Sequence, residues 1–231
     1  MKNSILINKL KGGLIVSCQA LENEPLHGSS VMAKMARAAE IGGAVGLRAN
    51  GISDIKEIKK VTDLPVIGLI KRDYSDSPVY ITPTKKEVDE LISVGVDMIA
   101  LDATKRTRPN QESLSSLITY LKKNNQCVMA DISTYEEAID AINMGVDVVS
   151  TTLSGYTAYT EKHYQKPNIE LVEQLVEGTN VPVFSEGNVD SPQVAKAMLK
   201  AGAHAVVVGS AITRPQLITE KFVLCMRKEL S

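Results

Sequence analysis

Charged side chains follow two of the short apolar runs in this sequence. Lys71 ends the run GLIK, and Glu186 follows the run VFS. An amine and a carboxyl group on opposite sides of one carbon atom can invert its configuration, because one removes a proton and the other returns one. For this chemistry the lysine must be neutral, so its pKa must be lowered by burial or by nearby cations such as Arg48. The pKa of the glutamic acid must be raised.

Eight short apolar runs alternate with longer segments of helical period. Apolar residues on both faces of a run, as in VVV at 206–208, are typical of parallel strands covered on both sides. The sequence therefore predicts strands over Gly13–Ser17, Ala44–Leu47, Val66–Ile70, Met98–Leu101, Cys127–Ala130, Val146–Val149, Val181–Phe184 and Ala205–Val208.

The longer segments predict helices between the strands and one after the last strand. The even-numbered strands each follow a glycine, as in VGVDMIALDA, and a glycine after the last helical turn ends a helix in the left-handed conformation. The predicted helices are Ser30–Glu40, Ile52–Val61, Lys85–Val94, Glu112–Lys122, Tyr135–Asn143, Ile169–Glu177, Pro192–Leu199 and Gln216–Lys228.

Eight βα units in 231 residues favour a single (β/α)8 barrel domain over residues 1–231. In such a barrel the chemistry lies at the C-terminal ends of the strands. An open doubly wound sheet is the alternative, and it is weakened because no G-x-G-x-x-G follows the first strand. No linker or low-complexity segment marks a second domain.

Strands four apart in an eight-stranded barrel face each other across its axis. Lys71 on strand three and Glu186 on strand seven are therefore predicted to flank a bound substrate. Asp131 on strand five and Gln19 on strand one also face each other, and we interpret them as groups that orient a substrate. One alternative is an ion pair of Lys71 with Asp131 or Glu186. Another is a capping role for Asp131 or Gln19. Thr152, after strand six, is a further candidate for substrate binding.

The turns after the last two strands predict a phosphate site. They contain Gly187-Asn188 and Gly209-Ser210, and glycine lets backbone N–H groups approach an anion. Arg214 can add a bidentate, charge-assisted contact to a phosphate. A single Gly-Ser turn is often only a tight turn, but two such turns at these positions are more specific.

Other candidate groups are weaker. His27, His163 and His204 lack the spacing of zinc ligands, so no metal site is predicted. The segments 150–168 and 71–82 are candidates for lids over a ligand, with an ordinary solvated loop as the alternative for each.

Composition excludes several classes of protein. The net charge of −1 and the absence of tryptophan argue against a nucleic-acid-binding surface. Cys18, Cys127 and Cys225 are far apart, and we expect buried, inert thiols in a reducing compartment. Lys9 and Lys11 interrupt the N-terminal apolar segment, which makes it a poor signal peptide, and no stretch is long enough to span a membrane. We therefore expect a cytoplasmic protein.

Several motifs together resemble one enzyme family. In order along essentially the whole chain they closely resemble the N-acetylmannosamine-6-phosphate 2-epimerase family: GLIVSCQALENEPL (13–26), GLRANG (46–51), GLIKRDY (68–74), ALDATKRTRP (100–109), MADISTYEEA (129–138), TTLSGYT (151–157), FSEGN (184–188) and VVVGSAITRP (206–215). The resemblance implies a (β/α)8 barrel that interconverts N-acetylmannosamine 6-phosphate and N-acetylglucosamine 6-phosphate without a cofactor, in bacterial sialic acid catabolism.

The resemblance also implies roles for individual residues. Lys71 and Glu186 are implied as the catalytic pair. The residues implied to hold the sugar are Gln19, Arg48 and Asp131, and those implied near the phosphate are Asn188, Gly209, Ser210 and Arg214. A homodimer is implied as well, and it fits the apolar side of the last helix at Phe222, Val223 and Met226.

The chemistry of such an epimerase agrees with the interpretation from the residues. Carbon 2 of the closed sugar ring is not acidic, so the ring must open before a base can remove the C2 proton and form an enolate. We hypothesise Lys71 as base and Glu186 as acid in one direction, with exchanged roles in the other. Two alternatives are a Schiff-base aldolase or synthase that uses Lys71, and a sugar-phosphate sensor without turnover.

Overall fold

The computed structural model describes residues 2–161 and 166–228, and within them eight parallel strands close into a barrel. The strands follow one another in chain order, and the last pairs with the first, as Leu14 opposite Val206 shows. This confirms the predicted (β/α)8 fold. The strands are β1 (Leu14–Cys18), β2 (Gly46–Asn50), β3 (Val66–Leu69), β4 (Met98–Asp102), β5 (Cys127–Asp131), β6 (Val148–Ser150), β7 (Val183–Ser185) and β8 (Ala205–Val208).

The predicted strands agree with the observed ones in place and number, but several boundaries differ. The second, sixth and seventh strands begin two residues later than predicted and end one to three residues beyond the predicted ends. The residues at the predicted starts, such as Ala44 and Val146, are buried in the turns that lead from a helix into the barrel. Burial alone gave these turns the apolar character of a strand.

Alternation along the strands divides the core into two layers. Ile99 and Leu101 of β4 pack outward against the helices, whereas Met98 and Ala100 point into the barrel. Ile15 and Phe184 belong to the same inner layer as Met98, and all three are fully buried. The two-sided apolar runs of the sequence therefore correspond to strands with protein on both faces.

The helices surround this barrel. They are α1 (Lys2–Leu10), α2 (Ser29–Ile41), α3 (Ile52–Ile58), α4 (Lys85–Val94), α5 (Leu114–Lys123), α6 (Tyr135–Asn143), α7 (Ile169–Gly178), α8 (Pro192–Lys200), α9 (Ser210–Thr213) and α10 (Pro215–Lys228). The glycines predicted to end helices adopt positive φ angles at positions 43, 95, 145 and 202. Thr84 and Thr134 begin α4 and α6 with complete capping boxes.

The sequence interpretation missed α1, which closes the N-terminal end of the barrel. Its Leu10 is fully buried in the inner layer, and the Nε2 atom of His204 lies 2.9 Å from the carbonyl oxygen of Ile7. The segment is short and contains several lysines, so its periodicity is weak. Its lysines argue against a targeting signal, and its pattern does not by itself predict a helix.

The last helix, α10, lies at the C-terminal end of the barrel and outside the buried core. It makes its main contacts with α9, and its residues up to Arg227 are exposed or only partly buried. Cys225 is consequently exposed, so the expectation of three buried thiols is wrong at that position. Cys18 and Cys127 are buried as expected, and burial raises the pKa of each thiol to about 12.

In the described part of the chain, we find no helix that combines the length and the apolar character needed to cross a membrane. The longest described helix, α10, has 14 residues, whereas a membrane-spanning helix needs about 20.

The outer layer of the core predicts a large cost for truncation of its side chains. Leu121 of α5 is fully buried between this helix and the barrel. Leu121→Ala should lower the free energy of unfolding by about 2–5 kcal/mol, because it leaves a cavity. Lys123→Ala, an exposed position on the same helix, should change it by less than about 0.5 kcal/mol. Urea unfolding of both variants checks this, and equal midpoints would contradict the packing described here.

Candidate active site

A cavity of about 470 Å³ lies at the C-terminal ends of the strands. Apart from Asp131, all predicted site residues line it: Gln19, Arg48, Lys71, Thr152, Glu186, Gly187, Asn188, Gly209, Ser210 and Arg214. Asp131 is fully buried and does not line the cavity, but it contacts Arg48 and Thr152, which do. The barrel therefore brings together residues that are as much as 195 positions apart in the chain, from Gln19 to Arg214.

Lys71 and Glu186 approach the cavity from opposite walls. Lys71 follows β3 and Glu186 follows β7, and these strands are four apart in the closed barrel. Both side chains line the same cavity. A ligand over the barrel mouth would therefore meet the amine from one side and the carboxylate from the other.

A buried arginine organises the carboxylate side of this site. Arg48 is 1% exposed and contacts Asp131 through both terminal nitrogens, with Nη2 2.5 Å from Oδ2 and Nη1 3.2 Å from Oδ1. Its Nη1 also forms an ion pair with Glu186. Thr152 joins the same network by donating to Asp131 Oδ1 at 2.7 Å. Two carboxylates and a hydroxyl thus surround one guanidinium.

This network changes the proton affinities of its members. Burial raises the pKa of Asp131 to about 6, with a further contribution from the Glu186 carboxylate, while Arg48 opposes the rise. Burial alone disfavours the charge on Arg48, but the two carboxylates outweigh it and raise the pKa of the guanidinium. Arg48 therefore stays cationic beneath the cavity.

Lys71 is not part of the ion-pair network. Within residues 2–161 and 166–228, its Nζ atom has no hydrogen bond and no carboxylate partner, and Glu186 pairs with Arg48 instead. The alternative of an ion pair between Lys71 and Asp131 or Glu186 is therefore not observed. Burial, followed by the charge of Arg48, lowers the pKa of Lys71. Both effects favour the neutral amine that a base requires.

The backbone at Lys71 is anchored on both sides. Its amide N–H donates to Asn50 Oδ1 at 2.8 Å, and Lys71 pairs with Ile81 across a short hairpin. Thr82 then returns to the barrel with a φ angle of +45°, which is rare for a β-branched residue. Buried Arg108 holds this turn by donating to the carbonyl of Thr82 at 2.6 Å. The segment 71–82, a lid candidate, is thus folded against the barrel at both ends.

Gln19 presents an acceptor without a partner. Its Nε2 donates to Ser17 Oγ at 2.8 Å, whereas its buried Oε1 has no hydrogen-bond partner among the described residues. Because a buried polar atom is normally paired, this oxygen is suited to accept from a bound ligand. The alternative of a capping role does not explain why this oxygen is left without a partner.

The two glycine-containing turns follow β7 and β8 and line the same cavity as Lys71. Gly187 has a φ angle of +101° and Asn188 one of +56°, so this turn uses the left-handed region twice. Ser210 and Ala211 begin α9, and their backbone N–H groups have no acceptor within the described ranges. Arg214 donates from Nη1 to Ser210 Oγ at 3.1 Å. Free amides and a guanidinium together can hold an anion.

Comparison with known proteins agrees with this geometry. Residues 32–228 match the family model NanE, described as "Putative N-acetylmannosamine-6-phosphate epimerase". A protein of Clostridioides difficile named "Putative N-acetylmannosamine-6-phosphate 2-epimerase" is 63% identical over 218 residues, covering 94% of this chain and 97% of its own. This chain belongs to the N-acetylmannosamine-6-phosphate epimerase family.

Solved structures extend the comparison. The N-acetylmannosamine-6-phosphate 2-epimerase of Clostridium perfringens superposes with a TM-score of 0.92 at 53% identity, covering 94% of this chain and 95% of that one. Thiamine phosphate pyrophosphorylase of Pyrococcus furiosus has a TM-score of 0.62 at 19% identity over 90% of this chain and 89% of its own. The second likeness concerns the fold alone.

In this member of the epimerase family, the cavity is also lined by two tyrosines to which the sequence interpretation assigned no role in binding or catalysis. Tyr80 lines the cavity beside Lys71, and Tyr156 lines it near the glycine turns and donates to Asn188 Oδ1 at 2.8 Å. Burial raises the pKa of both phenols, so they stay protonated donors. Tyr80 lies in the lid candidate 71–82 and Tyr156 in the lid candidate 150–168. Their position in these segments is the sequence feature that could have indicated a place at the cavity.

The remaining predictions concern metals and the second lid candidate. No group of three or more potential metal ligands occurs among the described residues, where His27 and His204 are found far apart in the chain. His163 lies outside the described residues. So does 162–165 of the lid candidate 150–168, whose first residues form a short 3-10 helix at Thr151–Leu153. Its role as a lid stays a prediction.

The raised pKa of Asp131 predicts a pH-dependent stability. A carboxyl group that holds its proton more tightly in the folded state stabilises the fold most at low pH. Its contribution should therefore fall as the pH rises from about 4 to about 6, and stay constant above that. Asp131→Asn cannot titrate, so urea unfolding at several pH values should show this decline in the unmodified protein only. Parallel curves for the two proteins would contradict the raised pKa.

Proposed function

We propose that this protein inverts carbon 2 of N-acetylmannosamine 6-phosphate to give N-acetylglucosamine 6-phosphate, as a cofactor-independent isomerase. The observation that carries the proposal is the placement of Lys71 and Glu186 on opposite strands above one cavity. The relatives at 63% and 53% identity, whose names specify this 2-epimerase, support the substrate. The proposal takes residues 1–231 as one barrel domain.

The reaction begins with an open sugar chain. Once the ring is open, the C1 aldehyde makes the C2 proton acidic, and removal of that proton gives an enolate. The enolate oxygen needs a donor or a cation, and Arg48 and Tyr80 are available at the cavity. Gln19 Oε1 is free to accept a hydrogen bond from a sugar hydroxyl or an amide N–H. These contacts hold C2 between the two catalytic groups.

Lys71 and Glu186 then exchange protons with opposite faces of C2. In one direction neutral Lys71 removes the proton, and the acid form of Glu186 delivers another to the far face. This leaves an ammonium and a carboxylate, which is the state required for the reverse reaction. Arg48 forms an ion pair with Glu186, and its positive charge favours the neutral amine of Lys71. The resting proton distribution is restored by exchange with water.

Asp131 and Thr152 orient the catalytic carboxylate of Glu186. Asp131 holds Arg48 with two contacts, and Thr152 donates to Asp131 while its hydroxyl lies 3.2 Å from Glu186 Oε2. Both residues therefore fix the orientation of the Glu186 carboxylate. Thr152 also lines the cavity and can contact the sugar directly.

The turns after β7 and β8 take the phosphate group. The amides of Ser210 and Ala211, which have no acceptor among the described residues, and the guanidinium of Arg214 offer donors to a dianion without a metal ion. The residues that we assign to this subsite are Gly187, Asn188, Gly209, Ser210 and Arg214. A localised site of this kind is compatible with a net charge of −1.

The cellular setting follows from the substrate. An enzyme that consumes N-acetylmannosamine 6-phosphate fits the breakdown of sialic acid and related amino sugars in the cytoplasm. The near-neutral charge and the absence of tryptophan favour a small-molecule substrate over nucleic acid or a membrane surface.

The catalytic pair predicts large losses of rate from two substitutions. Lys71→Met should lower kcat by about 10³-fold or more and Glu186→Gln by about 10²–10⁴-fold, since general acid–base groups contribute on this scale. Calorimetry should show that both variants still bind the sugar phosphate. Lys86→Met, an exposed lysine on α4, is the matched control and should keep full activity. Near-normal turnover by Lys71→Met in a coupled assay would remove it from the mechanism.

Two further measurements separate the alternatives. In D2O, NMR should show one deuterium at C2 of each newly formed epimer, because the delivered proton comes from a different group than the one that abstracts. Borohydride should not trap a covalent adduct, whereas a Schiff-base aldolase or synthase would be trapped at Lys71. Binding of the sugar phosphate without any turnover would instead identify a sensor.

We further propose a homodimer in which a second copy covers α10. Phe222 and Met226 are 68% and 67% exposed, and they lie four residues apart on one side of this helix, with Val223 beside them. Large apolar side chains in such a row mark an interaction surface. Phe222 lies at the rim of the cavity, and the described part of the chain leaves both Phe222 and Met226 mostly exposed.

The dimer predicts a change of mass on substitution. The doubly substituted Phe222→Glu, Met226→Glu protein should elute as a monomer, because two buried carboxylates in the interface are costly. Light scattering coupled to size exclusion should give twice the chain mass for the unmodified protein and for the exposed control Glu220→Gln. A monomeric unmodified protein would refute the proposed dimer.

A further inference from the structure

Glu24 is a carboxylate that the epimerase chemistry leaves unused. It lies in the loop between β1 and α2, within the motif QALENEPL, and its side chain is 15% exposed. Its Oε2 accepts from the backbone N–H of Leu21 at 2.6 Å, which fixes the carboxylate within its own loop. Its Oε1 accepts from Gln216 Nε2 at 3.1 Å, at the first turn of α10.

The same carboxylate contacts the arginine of the phosphate subsite. Arg214 Nε lies 2.6 Å from Glu24 Oε1. The contact is an ion pair rather than an aligned hydrogen bond, because the Nε–H group is not directed at the oxygen. Arg214 also donates from Nη1 to Ser210 Oγ at 3.1 Å. Two contacts therefore hold the guanidinium: the ion pair with Glu24 and the hydrogen bond to Ser210.

The position of Glu24 relative to the cavity decides what it does there. Arg214 and Ser210 line the cavity, whereas Glu24 is not among its lining residues. The carboxylate therefore lies behind the guanidinium, on its Nε side, and not in the space that a phosphate would occupy. A carboxylate in that position holds the arginine in place without competing for the same nitrogens.

We propose that Glu24 is a positioning residue for the phosphate subsite, which holds Arg214 so that its terminal nitrogens are presented to the phosphate. The inference rests on the proposed function in taking a sugar phosphate as the ligand. Arginine loses considerable side-chain entropy when it is fixed in one geometry, and Glu24 removes part of that cost before the ligand arrives. The negative charge repels phosphate at longer range, so the two effects have opposite signs.

Steady-state kinetics of Glu24→Ala and Glu24→Gln test the proposal. Glu24→Ala should raise KM for N-acetylmannosamine 6-phosphate about tenfold, the scale of one charge-assisted contact, while kcat changes less than about twofold. The KM of Glu24→Gln should lie between those of Glu24→Ala and the unmodified protein, because the amide carbonyl oxygen can still accept a hydrogen bond. The exposed Glu22→Ala is the matched control from the same loop and should behave like the unmodified protein.

Inorganic phosphate provides a readout that a general structural defect would not reproduce. As a competitive inhibitor it should bind Glu24→Ala about tenfold more weakly, in parallel with KM. With unphosphorylated N-acetylmannosamine, kcat/KM should be the same for Glu24→Ala and the unmodified protein. In an Arg214→Ala background, Glu24→Ala should have no additional effect, because the two residues act through one contact.

Several outcomes would overturn the proposal. A lower KM for Glu24→Ala would show that the carboxylate competes with phosphate. Equal losses for the phosphorylated and unphosphorylated sugars, or additive losses in the Arg214→Ala background, would show a general role in the loop. If the unmodified protein does not epimerise either sugar phosphate, the proposed function fails, and calorimetric binding of inorganic phosphate then tests Glu24 alone by the same comparison.

Discussion

The arrangement of this site depends on one guanidinium, that of Arg48, which is buried at the barrel mouth. Arg48 is removed from water, and such a charge is tolerated only because Asp131 and Glu186 neutralise it. Loss of one partner from a buried ion pair typically costs about 3–5 kcal/mol, since the remaining charge is left without compensation. Arg48, Asp131 and Glu186 must therefore stay in contact with one another. This need for charge compensation also fixes the position of Thr152, which contacts both carboxylates.

The same arrangement separates the two proposed catalytic groups, Lys71 and Glu186. Because Glu186 is occupied by Arg48, it does not neutralise Lys71, and the positive field of Arg48 favours the neutral amine. A direct pair between Lys71 and Glu186 would have favoured the ammonium and closed the space that a substrate needs. Arg48 thus keeps the amine and the carboxylate on their own sides of the cavity. In the proposed phosphate subsite of the same cavity, Arg214 has its own carboxylate partner in Glu24.

Much of this site could be predicted from the sequence, because strand ends are encoded locally. Nearly every apolar run is followed by a polar residue, and barrel closure brings those ends together. The sequence therefore predicts that Lys71, Glu186 and Gln19 lie around one cavity, as the structure has them. Partner choice could not be predicted in this way. That Glu186 pairs with Arg48 depends on side-chain reach across the barrel, which strand order leaves open. The last helix was predicted correctly, but the weakly periodic α1 was missed and Cys225 on α10 was expected to be buried. In both cases the surroundings of the segment, more than its own pattern, determine the outcome.

The separation of the two faces is tested most directly by hydrogen exchange at C2 with Glu186→Gln. In D2O, NMR should show that this variant exchanges the C2 proton of the epimer whose proton faces Lys71, with retained configuration. The other epimer, whose proton faces position 186, should keep its proton, and little of either should be converted. Exchange of both epimers at equal rates, or conversion at the normal rate, would contradict an amine and a carboxylate that act from opposite sides.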